Sequence, residues 1–310
     1  MSNKISLISW VEEYLFYPKT IPQFLLSFLL LPLTLIYCLI VISKRVFAKK
    51  IDFKIPIISI GNLTIGGSGK TPLIIELAKD FEDCAIILRG YGRQSKGMVL
   101  VSLKQEILCD ISQSGDEAML YAKQLPNATV IVSENRVDAI EYAKKLKSKV
   151  IFLDDAFSKS YIKKFDVLIR PKNEPTLPFC LPSGAYREPR YLYKKADLVV
   201  DEKSDFKRVV TIKNPTEKMI LITGISKPRR LDIFLPKEVK IKIYFPDHHP
   251  FKREELEKLI KKHGATSVLT TQKDAVKMEN FGLNLSIMEL DLELNSDIKE
   301  KIKTFLDNFR

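Results

Sequence analysis

Gly66, Gly67, Gly69, Lys70 and Thr71 stand together in the run Ser59 to Ile74, SIGNLTIGGSGKTPLI. Glycines let successive backbone N–H groups turn inward on an anion. A helix that begins at the lysine adds favourable partial charge at its N-terminus. Lys70 would then reach the β- and γ-phosphates of a nucleotide, and the Thr71 hydroxyl would bind Mg²⁺. The strict pattern GxxxxGK[ST] calls for glycine where this chain has Thr64. The stretch Thr64, Gly66, Gly67, Ser68, Gly69, Lys70, Thr71 is therefore read as a phosphate cradle with one departure, against the alternative of a structural turn.

Two further groups of residues could do chemistry beside such a cradle. KVIFLDDAF, Lys149 to Phe157, ends an apolar run in Asp154 and Asp155. Carboxylates at the end of a parallel strand are hard oxygen ligands for Mg²⁺, although Asp serves equally well as a helix cap. SQSGDEAMLYAKQL, Ser112 to Leu125, puts Asp116 and Glu117 in the first turn of a helix, where the helix dipole alone would favour them. YFPDHHPF, Tyr244 to Phe251, holds His248 and His249 next to Asp247 in a proline-bounded loop. A histidine paired with a carboxylate is a common general base; a solvated surface loop is the alternative. No third histidine or cysteine lies close enough in sequence to suggest a zinc cage.

These groups need elements to hold them. IPIISIGN, Ile55 to Asn62, reads as a short buried strand, and KTPLIIELAKDF as a helix with Pro72 in its tolerant first turn. Strand, glycine loop and helix in that order are the context a P-loop requires. The expected fold is α/β: a P-loop NTPase-like domain with a mostly parallel sheet, a smaller C-terminal α/β domain and an N-terminal membrane-anchoring helix. The division is 1–50 for the anchor and its basic flank, 51–212 for the P-loop domain and 213–310 for the smaller domain. The last boundary falls at the polar link KNPTEK, Lys213 to Lys218, ahead of the apolar MILITGI. A cleft between the two domains that closes over its ligands is the expected arrangement.

The anchor rests on IPQFLLSFLLLPLTLIYCLIVIS, Ile21 to Ser43, which has no charged residue and is long enough to cross a bilayer. Lys44, Arg45, Lys49 and Lys50 follow, which puts that end in the cytoplasm under the positive-inside rule. Pro32 would kink a single helix. Trp10, Tyr14 and Tyr17 suit the headgroup level. The chain as a whole carries a formal net charge of +12, which favours an anionic partner. Cys38, Cys84, Cys109 and Cys180 are scattered, which excludes a zinc ribbon or disulfide framework and fits a reducing compartment.

Eight short motifs occur in order along nearly the whole chain: IGNLTIGGSGKTP, LRGYGR (Leu88 to Arg93), SGDEA, SENR (Ser133 to Arg136), LDDAF, LPSGAYREP (Leu181 to Pro189), FPDHH and TTQKDAVK (Thr270 to Lys277). In this the chain resembles the tetraacyldisaccharide 4′-kinases, the membrane-bound lipid A kinases of Gram-negative bacteria. The resemblance implies ATP and Mg²⁺ as cofactors. It implies transfer of the γ-phosphate to the 4′-hydroxyl of an acylated disaccharide 1-phosphate, giving lipid IVA in lipopolysaccharide biosynthesis. It places the enzyme at the cytoplasmic face of the inner membrane, with no nucleic acid and no obligate protein partner.

Carried over by motif, Asp116 and His248 match the family's catalytic pair, either one taking the hydroxyl proton, and His249 is a bystander. Thr71, Glu117, Asp154 and Asp155 match metal or nucleotide-phosphate positions; Arg136, Arg187 and Glu188 match pocket residues. One motif departs: where the family continues its paired aspartates with Gly and then Gln-His, this chain has Ala156, Phe157, Ser158 and Lys159. Two rivals share part of these features. A membrane-tethered NTPase switch would hydrolyse nucleotide without a lipid product and would not need the FPDH histidine. A nucleic-acid-binding ATPase is suggested by charge alone and shows no recognisable binding module.

Overall fold

The computed structural model describes residues 10–309. The chain divides into two compact units, each assembled from separate stretches. The first comprises Met1–Lys70, Asp155–Phe206 and Leu294–Arg310; the second comprises Thr71–Asp154 and Lys207–Glu293.

In the first unit, β1 (Ile57–Gly61), β7 (Phe165–Arg170) and β8 (Leu198–Asp201) run side by side in that order, all parallel. Every residue of β1 is buried, as the uncharged, β-branched run Ile57, Ile58, Ser59, Ile60 requires of a strand covered on both faces. Gly61 ends it because nothing larger fits: a Cβ there would sit 2.9 Å from Phe157 Cβ. The glycine loop follows, with Gly66 and Gly69 at φ 81° and 87°, a region that costs glycine little. The helix Lys70–Ala78 then begins at the lysine. Thr64 occupies the departing motif position comfortably: it is buried and pairs with Tyr186 in an antiparallel bridge, extended backbone that a β-branched residue favours.

The apolar N-terminal run is two helices, Ile21–Leu29 and Leu31–Val46, bent by 51° where they meet. Pro32 lies in the first turn of the second helix, and the chain breaks just ahead of it, as proline sterics dictate. No single helix among the described residues is long and apolar enough to cross a membrane, though the bent pair together reaches that length. The usual polarity of a helix is inverted here. Gln23, Ser27 and Thr34 are the buried positions, whereas Leu25, Leu29, Leu33, Leu35, Ile36, Leu39 and Ile40 are exposed. Two of these three buried side chains are tied down by hydrogen bonds. Gln23 Oε1 accepts the backbone N–H groups of Lys19 and Thr20, and the Thr34 hydroxyl bonds to Ser183 Oγ at 2.8 Å.

The second unit holds two sheets. In one, β2 (Cys84–Leu88), β3 (Val99–Leu103), β4 (Glu106–Ile107), β5 (Thr129–Val132) and β6 (Val150–Asp154) lie in the order β4-β3-β5-β2-β6. Strand β2 is parallel to both β5 and β6, and β3 is antiparallel to β4 and β5. In the other, β9 (Phe206–Lys213), β10 (Met219–Thr223), β11 (Ile241–Tyr244), β12 (Ser267–Thr271) and β13 (Leu285–Leu294) lie in the order β11-β10-β12-β13-β9. Its pairs β10–β11, β10–β12 and β12–β13 are parallel. The helices Arg136–Lys145, Arg253–His263 and Gln272–Met278 make the crossovers that parallel pairing needs. This is the expected α/β class with mostly parallel sheets. Strand β9 already belongs to the second sheet although it precedes the KNPTEK link, so that link joins two strands of one sheet.

Candidate active site

In the first unit the glycine loop delivers Lys70 to a cluster of polar groups. Lys70 Nζ donates to Asn62 Oδ1 at 3.1 Å and lies 3.5 Å from Asp155 Oδ1. Arg187 closes on the same pair. Its Nη1 and Nη2 take the two Asp155 oxygens at 2.8 Å each, a bidentate fork, and Nη2 also reaches Asn62 Oδ1 at 2.7 Å. Burial would raise the Asp155 carboxyl; the Arg187 hydrogen bonds and the Lys70 charge outweigh it and hold the group well below the usual carboxylate range. Asp155 itself has φ 52°, a left-handed conformation uncommon for a non-glycine residue and frequent at functional sites. Glu188, next along from Arg187, is buried and pairs with Arg45 Nη2 at 2.6 Å.

In the second unit, Asp116 opens the helix Asp116–Gln124, and the preceding Gly115 has φ 81°, where a Cβ would meet Tyr91 O at 3.1 Å. His248 sits in the loop after β11 with φ 59°. Its Nδ1 faces both Asp116 oxygens, at 3.0 and 2.9 Å, and its ring lies 5.5 Å from that of Tyr91. Two lysines from the helix Gln272–Met278 flank the carboxylate, Lys273 Nζ and Lys277 Nζ each 3.8 Å from Asp116 Oδ2. Lys273 also reaches Asp247 at 3.3 Å and Glu117 at 3.5 Å.

The electrostatics follow from this crowding. Burial would raise the Asp116 carboxyl, at 6% exposure, but the His248 hydrogen bond and the charges of Lys273 and Lys277 prevail and hold it below the ordinary range. The hydrogen bond to Asp116 pushes the His248 imidazole up from its usual value, against burial and the Lys273 charge. Burial would depress Lys273, yet Glu117, Asp116 and Asp247 together raise it. The helix that carries these lysines is itself pinned. Buried Asp274 accepts the Thr223 hydroxyl at 2.6 Å and the Gly224 N–H at 2.9 Å, and Lys277 pairs with it at 2.6 Å.

Asp154, at the end of β6, is buried, and its Oδ2 accepts the Tyr121 hydroxyl at 3.0 Å. Burial and the Asp154 charge push the Tyr121 hydroxyl well up, and the Thr71 side chain works against them. Arg136 lies buried, its guanidinium donating to the carbonyls of Ser133 and, at 3.5 Å, Asp154, so it braces the ends of β5 and β6. His249 stands apart from Asp116: its ring stacks on Phe245 at 4.4 Å and Nε2 is 3.0 Å from Glu255 Oε2. Among the described residues, no group of three or more His, Cys, Asp or Glu side chains is assembled as an ion cage.

Sequence reasoning passed over four residues of these clusters. Asn62 falls at the end of the run read as a strand, and Tyr121 within the run read as a helix. Lys273 and Lys277 were visible only as part of the TTQKDAVK motif, whose lysines at i and i+4 share one helix face.

A strand–glycine loop–helix cradle on a mostly parallel α/β scaffold, with aspartates at a strand end, defines a P-loop protein built to handle a nucleotide's phosphates. A family model described as Tetraacyldisaccharide-1-P 4'-kinase matches residues 26–213 and 201–309. The chain belongs to that family. It is 54% identical over 318 residues to the tetraacyldisaccharide 4'-kinase of Aliarcobacter butzleri, covering 100% of both chains. It is 50% identical over 300 residues to that of Helicobacter acinonychis, covering 97% of this chain and 96% of the relative. Its fold matches a crystal structure of LpxK from Aquifex aeolicus in complex with ATP, with a TM-score of 0.76 and 28% identity, over 91% of this chain and 99% of the other.

Proposed function

We propose that this protein transfers the γ-phosphate of ATP to the 4′-hydroxyl of a tetraacyldisaccharide 1-phosphate, forming lipid IVA. The observation that carries the reading is the Asp116–His248 pair, with Nδ1 at 2.9 Å from the carboxylate. A sugar hydroxyl is a weak nucleophile and needs a base. With Nδ1–H donated to Asp116, the neutral imidazole keeps its lone pair on Nε2, and His248 takes the hydroxyl proton there. Asp116 orients the ring and stabilises the imidazolium that forms, the division of labour found in acid–base triads. Asp116 is the poorer choice of base because the His248 hydrogen bond and the charges of two lysines 3.8 Å away hold it below the ordinary carboxylate range.

The P-loop residues Thr64 to Thr71 hold the nucleotide's phosphates, with Lys70 as the point charge. Lys70 rests on Asn62 and Asp155, so a phosphate oxygen arrives at a lysine already held in place. Asp154 accepts the Tyr121 hydroxyl and the Thr71 side chain acts on that same hydroxyl, an all-oxygen neighbourhood that fits Mg²⁺. Glu117 and Asp155 are the further carboxylates proposed for the metal and phosphate environment, and Mg²⁺ bound there would neutralise charge on the phosphates. Arg187, Glu188 and Arg136 shape the pocket, Arg136 through the backbone it braces.

The inverted polarity of the helices Ile21–Leu29 and Leu31–Val46 supports seating their apolar face in the cytoplasmic leaflet of the inner membrane, where the lipid acceptor resides. The three-part organisation, 1–50, 51–212 and 213–310, is kept as a proposal. Its support is that β1 to β8 fall within 51–212 and β10 to β13 within 213–310, with β9 running up to the last boundary.

The test is label transfer from γ-labelled ATP, with Mg²⁺, to tetraacyldisaccharide 1-phosphate in detergent. Label in a bisphosphorylated lipid, lost in Lys70→Ala, is the expected result. Label released only as inorganic phosphate would favour an NTPase and overturn the reading.

A further inference from the structure

The inner face of the helix Leu31–Val46 is a single stripe. Leu31, Thr34, Tyr37, Cys38, Val41, Ile42 and Arg45 are its less exposed positions among otherwise exposed neighbours, spaced as one side of an α-helix. Two members of that stripe end on consecutive residues of the site. The Tyr37 hydroxyl donates to the Arg187 carbonyl at 2.7 Å. Arg45 Nη2 pairs with Glu188 at 2.6 Å and donates to the Phe157 carbonyl at 3.1 Å, and its guanidinium lies 4.2 Å above the centre of the Phe157 ring. The basic flank that follows the apolar run therefore has one arginine turned inward, on a glutamate that is 7% exposed.

From there the contacts run without a gap. Arg187 forks onto Asp155 and touches Asn62, and Lys70 rests on those same two residues. We infer that Tyr37 and Arg45 are positioning residues that tie the apolar helix to the phosphate-binding lysine, so that the seating of this helix sets how well ATP is held. The inference deepens the proposed function and rests on its ATP site. Both residues act through the Arg187–Glu188 dipeptide, Tyr37 on its backbone and Arg45 on its second side chain. A shift of the helix thus moves the guanidinium that orients Asp155 and Asn62. An anchor with no such duty would need only the apolar outer face and packing on the inner one.

Affinity for Mg²⁺-ATP, measured by calorimetry on the full chain in detergent and in vesicles of phosphatidylethanolamine and phosphatidylglycerol, tests this directly. Tyr37→Phe, which removes one hydroxyl, should weaken ATP about 2- to 10-fold. Arg45→Met should weaken it about 10- to 100-fold, in line with loss of a neutral and a charged hydrogen bond. Arg45→Lys should fall between wild type and Arg45→Met, and all three variants should still float with the vesicles. ATP affinities unchanged in both Tyr37→Phe and Arg45→Met would overturn the inference, as would a loss of flotation or thermal stability with affinity intact. Because the readout is binding, a wild-type protein that binds ATP but labels no lipid would sink the kinase reading and leave this one standing. A wild-type protein that binds no ATP would overturn both.

Discussion

Replacing Asp116 by asparagine changes almost no volume and removes one charge from the centre of the second unit's cluster. In the native protein, Nδ1 of His248 lies 3.0 and 2.9 Å from the two Asp116 oxygens, so either oxygen can accept the imidazole proton. An amide there presents an N–H on one side. If that N–H faces Nδ1, the ring is driven to the tautomer protonated at Nε2, and the lone pair needed for the sugar hydroxyl is gone. Loss of a positioned general base costs about 10²- to 10⁴-fold, or roughly 2.7 to 5.4 kcal/mol of barrier, and the tautomer argument places Asp116→Asn toward the upper end.

The pH profile carries a second sign. His248 is held above its usual value chiefly by the Asp116 hydrogen bond, so turnover, which needs the neutral ring, should rise with pH through a midpoint above that of an ordinary histidine. In Asp116→Asn the residual activity should show that limb moved to lower pH. Stability behaves oppositely. The contribution from His248 is full below the unfolded value and fades as pH rises through the raised folded one, whereas that of Asp116, whose carboxyl is depressed, fades as pH falls. The native-minus-variant difference in stability should therefore peak in mildly acidic solution, between the two transitions. Initial rates of label transfer across a pH series, with urea midpoints at the same pH values, read both effects. A kcat within about threefold of native, or an acidic limb that does not move, would refute the assignment of proton acceptance to a histidine oriented by Asp116.

Three other outcomes follow from the same geometry. His249→Ala should keep turnover within about threefold yet lower stability by about 1–2 kcal/mol, because the ring packs on Phe245 and bonds to Glu255 away from Asp116; a rate loss equal to that of His248→Ala would count against the choice between the two histidines. Lys277→Met should cost about 3 kcal/mol in urea unfolding, the lower end for an orphaned buried charge, since Asp274 keeps its bonds from Thr223 and Gly224; an unchanged midpoint would show the pair to be dispensable. Converting Ile36, Leu39 and Ile40 to glutamate should abolish co-flotation with vesicles while leaving ATP affinity in detergent near native, because all three side chains point outward; persistent flotation would locate membrane attachment elsewhere.

Much of the nucleotide site was legible in the sequence because its signals are local. A strand, a glycine loop and a helix are neighbours along the chain, so Ile57–Gly61, the loop and Lys70–Ala78 follow from burial pattern, glycine and the tolerated Pro72. The aspartates at the end of β6 and the helix opening at Asp116 are local in the same sense. The departure at Thr64 was visible as a departure, but not its resolution, which needed the bridge to Tyr186 far along the chain. The apolar run was visible too, with a proline kink expected; that it divides at Leu30 into two helices with polar residues turned inward depends on what they pack against.

What the sequence by itself determined is the class of element at each motif and, through eight motifs in order, the family. Those features depend on backbone propensity, turn chemistry and hydrophobic period, all of which act over a few residues. Only the tertiary structure decided which other distant groups share a charge: Lys273 and Lys277 beside Asp116, Arg45 on Glu188, and Arg187 on Asp155. An ion pair between residues far apart in the chain leaves no periodicity. It is fixed by where sheets and helices bring the chain back, and by the cost of burying any of these charges without its partner.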